Sequence, residues 1–377
     1  MRECEYLIIG GGIAGASLAY HLTDHSDDVV ILEREDQPGY HSTGRSAAIF
    51  TENYGPRIMR VMSKVSGPFL RRPPSGFSDV PLLHDMGVVF VGREDQKATM
   101  AAILEELQEL SDTIKEVSVD EAIAASPPLK RDYIAVAAHD PATANMDVNA
   151  IHMGYLKKAR ATGTTLVTEA EVIGMERKGG LWHVRTAKAG NFAAPVVVNA
   201  AGAWADPVAE LAGARTIDLQ PKRRTAIVFD PPAGADISKW AAGADCEEQW
   251  YYKPDAGQVL GSPADETPVP PQDIQPDEMD IAIVADRIQT ATNLEIKRIN
   301  RSWAGLRSFV ADKCPVVGFA PDAEGFFWLA GQGGYGIQTS WAIGLTASAM
   351  VRGQGVPEKV TGFDVTEKDL GPQRLWD

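Results

Sequence analysis

The sequence predicts an α/β protein, α+β overall: one parallel sheet visited repeatedly by the chain, interleaved with a region of mixed antiparallel sheet and helices. Three observations predict it. Gly10, Gly12 and Gly15 form G-x-G-x-x-G between a short apolar run, 6–9, and an apolar helical stretch, 14–22. The apolar run 194–206 ends in small residues, as a second buried parallel strand would. The segment 325–350 again runs apolar strand, glycine-rich turn, small-residue helix. The chain therefore returns to one sheet three times, and the stretches between must fold elsewhere.

The first segment is a Rossmann-like dinucleotide-binding unit. Gly10 permits the tight turn, Gly12 lets backbone approach a pyrophosphate, and Gly15 lets helix and strand pack closely. Phosphates then meet the N–H groups at the positive helix end, where Ile13 and Ala14 stand. A second strand, 29–32, ends on Glu33, 18 residues after Gly15 and placed to accept ribose hydroxyls.

In chain order, 34–48 is a loop whose residues from Ser42 to Ala48 are small and hydroxyl-bearing, suited to lying against a flat ligand. Residues 55–72 are helix-like, 88–91 a strand, and 97–110 an amphipathic helix. Ser118 and Glu121 have capping-box spacing. Strands are expected at 166–172 and 181–186 around Gly179-Gly180, and antiparallel strands at 219–229 and 250–252. The stretch 263–276, with five prolines, reads as a surface loop. The terminal turn gives a second glycine-rich helix start. It suits a cofactor with negative charge at two places, FAD more than NAD, because reduced flavin is anionic at its pyrimidine edge.

Composition narrows the partners. With 36 Lys and Arg against 51 Asp and Glu, the formal charge of −15 argues against nucleic acid or an anionic membrane surface, but not against a small anionic substrate. Cys4, Cys246 and Cys314 form no C-x-x-C, so neither a disulfide framework nor a metal site is indicated; the histidines likewise lack ligand spacing. No secretory pattern and no run of about 18 apolar residues appears, so no transmembrane segment is expected. A cytoplasmic location is the expectation.

Several words of the sequence carry a resemblance: 39–48 GYHSTGRSAA, 198–204 VNAAGAW, 219–224 LQPKRR, 252–257 YKPDAG, 303–312 WAGLRSFVAD and 333–340 GGYGIQTS. Together they resemble the D-amino-acid-oxidase-like FAD flavoproteins, the glycine and sarcosine oxidase group, and within it the bacterial D-arginine dehydrogenases. The resemblance spans nearly the whole chain. It implies non-covalent FAD and a nucleotide domain (1–80, 146–215 and 310–377) interleaved with a substrate domain (81–145 and 216–309). It extends the cofactor contacts to Arg34, Ser42, Thr43, Arg45, Ser46, Ala47, Ala48, Val172, Ala201, Gly202, Trp204, Gly305, Gly333, Gly334, Tyr335, Gly336, Ile337, Gln338 and Thr339.

The implied reaction is oxidation of the C–N bond of a small carboxylate-bearing amine, a D-amino acid, by hydride transfer to flavin N5. The imine hydrolyses to a 2-oxo acid and ammonia. The electron acceptor, oxygen or quinone-type, stays open. Arg307 is the carboxylate anchor that the residues themselves suggest: alternation places Trp303, Gly305, Arg307 and Phe309 on one face, and a buried arginine needs an anion. From the residues alone a structural acid is the favoured anion; the resemblance shifts the choice to the substrate carboxylate. Arg224 is selected from the run 222–224, otherwise a solvated face, by resemblance alone, as are Tyr54 and Tyr251 as substrate contacts. The D-arginine dehydrogenase pattern has a glutamate for the guanidinium after the Pro-Leu-Leu at 81–83; here the place holds His84-Asp85, and Ile49 replaces a histidine. Asp85, Ile49 and Gly334 are thus the substrate-pocket candidates. The rivals are a glycine- or sarcosine-type secondary-amine oxidase and a non-catalytic flavin-binding protein. An NAD-linked dehydrogenase is disfavoured by the turn 333–337, and a disulfide reductase by the absence of paired cysteines.

Overall fold

The computed structural model describes residues 1–376. Its centre is a six-stranded sheet ordered Thr165–Val167, Val29–Leu32, Tyr6–Ile9, Val196–Asn199, Phe326–Ala330, Val316–Phe319. Every pairing is parallel except the last. Tyr6–Ile9, Val29–Leu32 and Phe326–Ala330 are buried along their whole length, as strands covered on both faces must be. One face packs on the helices Ile13–Leu22, Val148–Ala161 and Ser340–Val351. The other is covered by the four-stranded sheet holding Trp182, Val184 and Phe192, and by the helix Ala205–Ala212.

Close approach of small residues sets the spacing of this layer. Gly10 has φ +111°, and a methyl group there would lie 2.3 Å from the Ala200 carbonyl oxygen. At Gly15 it would lie 2.1 Å from the Gly10 oxygen, and at Gly344 2.8 Å from the Ser17 backbone. Helices Ile13–Leu22 and Ser340–Val351 therefore meet backbone to backbone.

The second sheet has nine strands and includes Gln220–Phe229, Ile299–Phe309, Tyr251–Asp255, Ala242–Asp245 and Val88–Gly92. Its longest pairing joins Gln220–Phe229 antiparallel to Ile299–Phe309, with Lys222 opposite Arg307 and Arg224 opposite Gly305. The expected helices are Arg57–Arg71 and Lys97–Gln108, and Ser118 and Glu121 form both bonds of the capping box. No helix among the described residues is long and apolar enough to cross a membrane.

Three expectations are corrected. The run 194–206 is not one strand: Asn191–Ala194 joins the four-stranded sheet and Val196–Asn199 the six-stranded one. Pro195, without an N–H, stands at the change of sheet, and the chain turns helical from Gly202. The run 166–172 splits into Thr165–Val167 and Val172–Lys178 because Glu169, at φ +52°, turns the chain between them. The stretch 263–276 is not loop throughout, since Thr267–Pro268 pairs with Lys222 and Arg223 at the sheet edge.

Gly15→Ala tests this packing. The methyl group has no space, so the variant is expected to lose about 1–3 kcal/mol of stability, measured as a lower thermal midpoint.

Candidate functional site

Two cavities share the walls Gly12, Ser42, Thr43, Ala200 and Gly202. The first lies over the carboxyl ends of the strands Tyr6–Ile9 and Val29–Leu32. It is lined by Gly10, Gly12, Glu33, Arg34, Ser42, Thr43, Val172, Ala201, Gly202 and Trp204 among the residues expected to hold a cofactor. Glu33 is buried there, its two oxygens accepting from the Gly11 N–H at 2.9 Å and the Glu35 N–H at 3.0 Å. Burial raises its pKa, outweighing these backbone bonds. Arg34 lies 4.7 Å over the Trp204 ring, and the His41 ring is 4.6 Å from the same indole.

This cavity fits a dinucleotide. Gly12 caps the helix Ile13–Leu22 without any side chain, leaving the helix end to a ligand. A methyl group at Gly12 would press on Thr43 Oγ1 at 3.2 Å, whereas Gly202, at φ +57°, faces open space. Thr43 Oγ1 itself accepts the Ile13 N–H at 3.0 Å, so one expected phosphate donor is partnered within the chain.

The second cavity is lined by Ile13, Ala14, Arg45, Ser46, Ala47, Ala48, Gly305, Gly333, Gly334, Gly336, Ile337 and Gln338, and by all four expected catalytic residues, Tyr54, Arg224, Tyr251 and Arg307. Local alternation puts the arginines here. Arg224 and Arg307 point to one face of their strand pair, while Arg223 points to the other and is neutralised by Asp280 at 2.8 Å. The run 222–224 is therefore not a solvated face. Arg307 lies against Gly334, where an added carbon would sit 1.9 Å from Nε. Its Nη2 donates to the Tyr54 hydroxyl at 3.2 Å, and that hydroxyl donates to Glu248 at 2.8 Å. Burial pulls the Arg307 pKa down, but the Tyr54 and Tyr335 phenols and Glu248 more than offset it, so the cation is permanent. Arg224 Nε donates to the Asp265 carbonyl at 2.9 Å, and its Nη2 is buried without a hydrogen-bond partner among the described residues.

The same lining includes the apolar side chains of Ile49, Val88, Phe90, Met146, Ala242, Ala244 and Trp250. Its acids are Asp245, held by Gln96 and by Arg93 at 3.6 Å, and Glu248.

Four expected contacts lie outside both walls. Gly15 packs under Gly10, and Thr339 turns its hydroxyl to the Tyr335 carbonyl at 2.9 Å. Tyr335 stands behind Arg307, its ring 5.5 Å from the guanidinium. Asp85 is corrected as a pocket candidate: its strand Leu83–Asp85 belongs to a separate three-stranded sheet, and its side chain is 92% exposed, 3.7 Å from Arg71. Sequence reasoning missed Phe90, Trp250, Asp245, Glu248 and Gln332. The only advance signal was the alternation of 88–91, which sets Val88 and Phe90 on one face. Cys314 is buried outside both walls, where burial pushes its thiol up to about 11. No metal-binding cluster is found among the described residues.

Comparison with known proteins agrees with this geometry. A family model described as FAD dependent oxidoreductase (DAO) matches residues 5–350. The chain is 24% identical to hydrogen cyanide synthase subunit HcnC of Pseudomonas aeruginosa, over 96% of this chain and 95% of that one. It is 23% identical to glycine oxidase of Geobacillus kaustophilus, over 97% and 96%. Among solved structures, L-proline dehydrogenase from P. horikoshii superimposes with a TM-score of 0.83 at 22% identity, covering 100% of this chain and 98% of that one. The G. kaustophilus glycine oxidase structure gives 0.82 at 20% identity, covering 94% and 96%.

FAD is the cofactor. No cysteine lines the second cavity, so acid precipitation is expected to release all the flavin into a yellow supernatant. Flavin retained in the pellet would show a covalent link.

Proposed function

The chain belongs to the DAO family of FAD-dependent oxidoreductases, and from that premise we propose that it oxidises the C–N bond of a small D-amino acid with an apolar side chain. The products are a 2-oxo acid and ammonia, formed by hydrolysis of the imine. The observation that carries this reading is one cavity lined both by two arginines and by a set of apolar side chains. A substrate carboxylate fits the arginine side, because guanidinium forks bind carboxylates in a fixed orientation. A side chain fits Ile49, Val88, Phe90, Met146 and Trp250 through burial of apolar area.

Each residue has a task. Arg307, permanently charged and pressed on Gly334, fixes the carboxylate; Arg224 adds the second fork from the neighbouring strand. Tyr54, held between Arg307 and Glu248, and Tyr251 close the cavity around the bound amine and exclude water. The chemistry supplied by bound flavin is acceptance of a hydride from the carbon next to nitrogen. The cofactor is held by the two glycine-rich turns and the loop 42–48, in a nucleotide domain of 1–80, 146–215 and 310–377. The substrate domain is 81–145 and 216–309, a division supported by which sheet each strand enters. The D configuration rests on the resemblance of the words around Arg224 and Arg307. A glycine- or sarcosine-type secondary amine is the second reading, favoured by the glycine oxidase relatives; the breadth of the apolar wall favours the first.

Arg307→Met and Arg224→Met are each expected to keep FAD and lose about 2–4 kcal/mol of transition-state stabilisation, read as kcat/KM with a carboxylate substrate. An unimpaired Arg307 variant returns that residue to a structural role. The substrate itself is tested by comparing D-leucine, D-methionine, D-alanine, sarcosine and D-arginine under one electron acceptor. The apolar D-amino acids are expected to lead, since a guanidinium facing this wall loses water without gaining a partner. If D-arginine leads, the pocket reading is wrong, and Glu248→Gln then shows whether that carboxylate holds it.

A further inference from the structure

The two arginines do not stand alone. Lys222 lies two residues before Arg224 on the same strand face and directly opposite Arg307 across the ladder. Like charges in that position repel. Lys313 adds a fourth cation beside them, 5.6 Å from the Phe309 ring that Lys222 also approaches at 5.2 Å. A single carboxylate touches all four, and it comes from the proline-rich stretch 263–276. Glu266 Oε1 lies 3.4 Å from Arg307 Nη1 and 3.6 Å from Arg224 Nη2; its Oε2 accepts from Lys222 at 2.8 Å and lies 3.5 Å from Lys313.

Glu266 does not line the cavity, although Ala264 on the same stretch does. Its carboxylate thus meets Arg307 on Nη1, while Nη2 turns to Tyr54. The stretch is itself fixed: Thr267–Pro268 pairs with Lys222 and Arg223 at the sheet edge, Asp265 accepts the Thr225 N–H at 2.7 Å, and Asp273 pairs with Arg45. Burial raises the Glu266 pKa, but the Lys222 hydrogen bond and the charges of Arg307, Lys313 and Lys222 more than offset it and keep the carboxylate ionised.

We propose that Glu266 is the positioning residue of the carboxylate anchor, tying the outer edges of Arg307 and Arg224 together so that their remaining N–H groups converge on the substrate. This rests on the reading of the two arginines as that anchor. Without Glu266, Lys222 repels Arg307 across the ladder and the two forks separate. With it, one buttress serves both strands and leaves the cavity side of the guanidinium pair free for one carboxylate.

The test titrates FAD-loaded protein with isobutyrate and with its neutral counterpart isobutyramide, following the flavin absorbance, and measures KM and kcat for the best substrate. Glu266→Gln is expected to weaken isobutyrate about fivefold and raise KM alike, with kcat and the isobutyramide response changed by less than about twofold. Glu266→Asp, which keeps the charge on a shorter stem, is expected to recover part of the loss, and it carries the test if the Gln variant does not fold. Isobutyrate binding that is unchanged or tighter in the folded variants overturns the assignment, as does an equal loss with isobutyramide, which marks a general distortion. A wild-type protein that responds to no carboxylate ligand and oxidises no carboxylate-bearing amine overturns the functional reading itself rather than the role of Glu266.

Discussion

The architecture depends on backbone meeting backbone where no methyl group fits. Gly15 under Gly10, Gly10 under Ala200 and Gly344 against Ser17 draw three segments that are far apart in sequence into one layer. Once they are together, the carboxyl ends of Tyr6–Ile9 and Val196–Asn199 and the turn after Phe326–Ala330 open toward common cavities. Ligand sites in open parallel sheets arise where strands end in this way. Part of the wall of the second cavity then comes from a different sheet, so the layer of glycine-rich turns and the sheet that carries the arginines meet at the site.

How much of this was legible in the sequence follows the range of the interaction. The turn at Gly10–Gly15, the acid at Glu33 and the capping box at Ser118 are local, and local spacing describes them. Arg307 was legible through period-two alternation, because a strand fixes which face a residue takes. Arg224 was not, since composition alone makes 222–224 a solvated run; the strand register separates Arg224 from Arg223, and only the resemblance anticipated it. The break at Pro195 and the turn at Glu169 were blurred because both lie inside continuous apolar or β-prone runs. Asp85 failed for a similar reason: its neighbourhood in the sequence resembled a pocket wall, but its strand belongs to a three-stranded sheet that leaves the side chain in solvent.

The least legible residues are the acids. Glu248 and Glu266 sit in stretches that any composition rule assigns to the surface; Glu248 is exposed and Glu266 half-buried. What places them is tertiary: Glu248 takes a positive φ of +56° beside Tyr54, and Glu266 immediately precedes a two-residue edge strand that docks on Lys222 and Arg223. Neither turn has a periodic pattern that precedes it.

Their positions bear on how a chain of net charge −15 attracts an anion. At about 8 Å of screening length in physiological salt, the distant surface acids contribute little inside the cavity. On the proposed reading a carboxylate meets the charges of the cavity wall, Arg45, Arg224 and Arg307 against Asp245 and Glu248, with Lys222 and Lys313 outside that wall and paired to Glu266. The balance there is positive although that of the chain is negative. The same local argument applies to Asp245, which is already held by Arg93, Gln96 and backbone N–H groups. On the proposed reading, attraction and selectivity are set by different side chains of one cavity. The sheet pairing of 220–229 with 299–309 supplies the charge, and Ile49, Val88, Phe90 and Trp250 supply the apolar surface. On that reading, a change of side-chain preference requires substitution only among those four apolar residues, because none of them adds a charge to the ladder on which the proposed anchor rests.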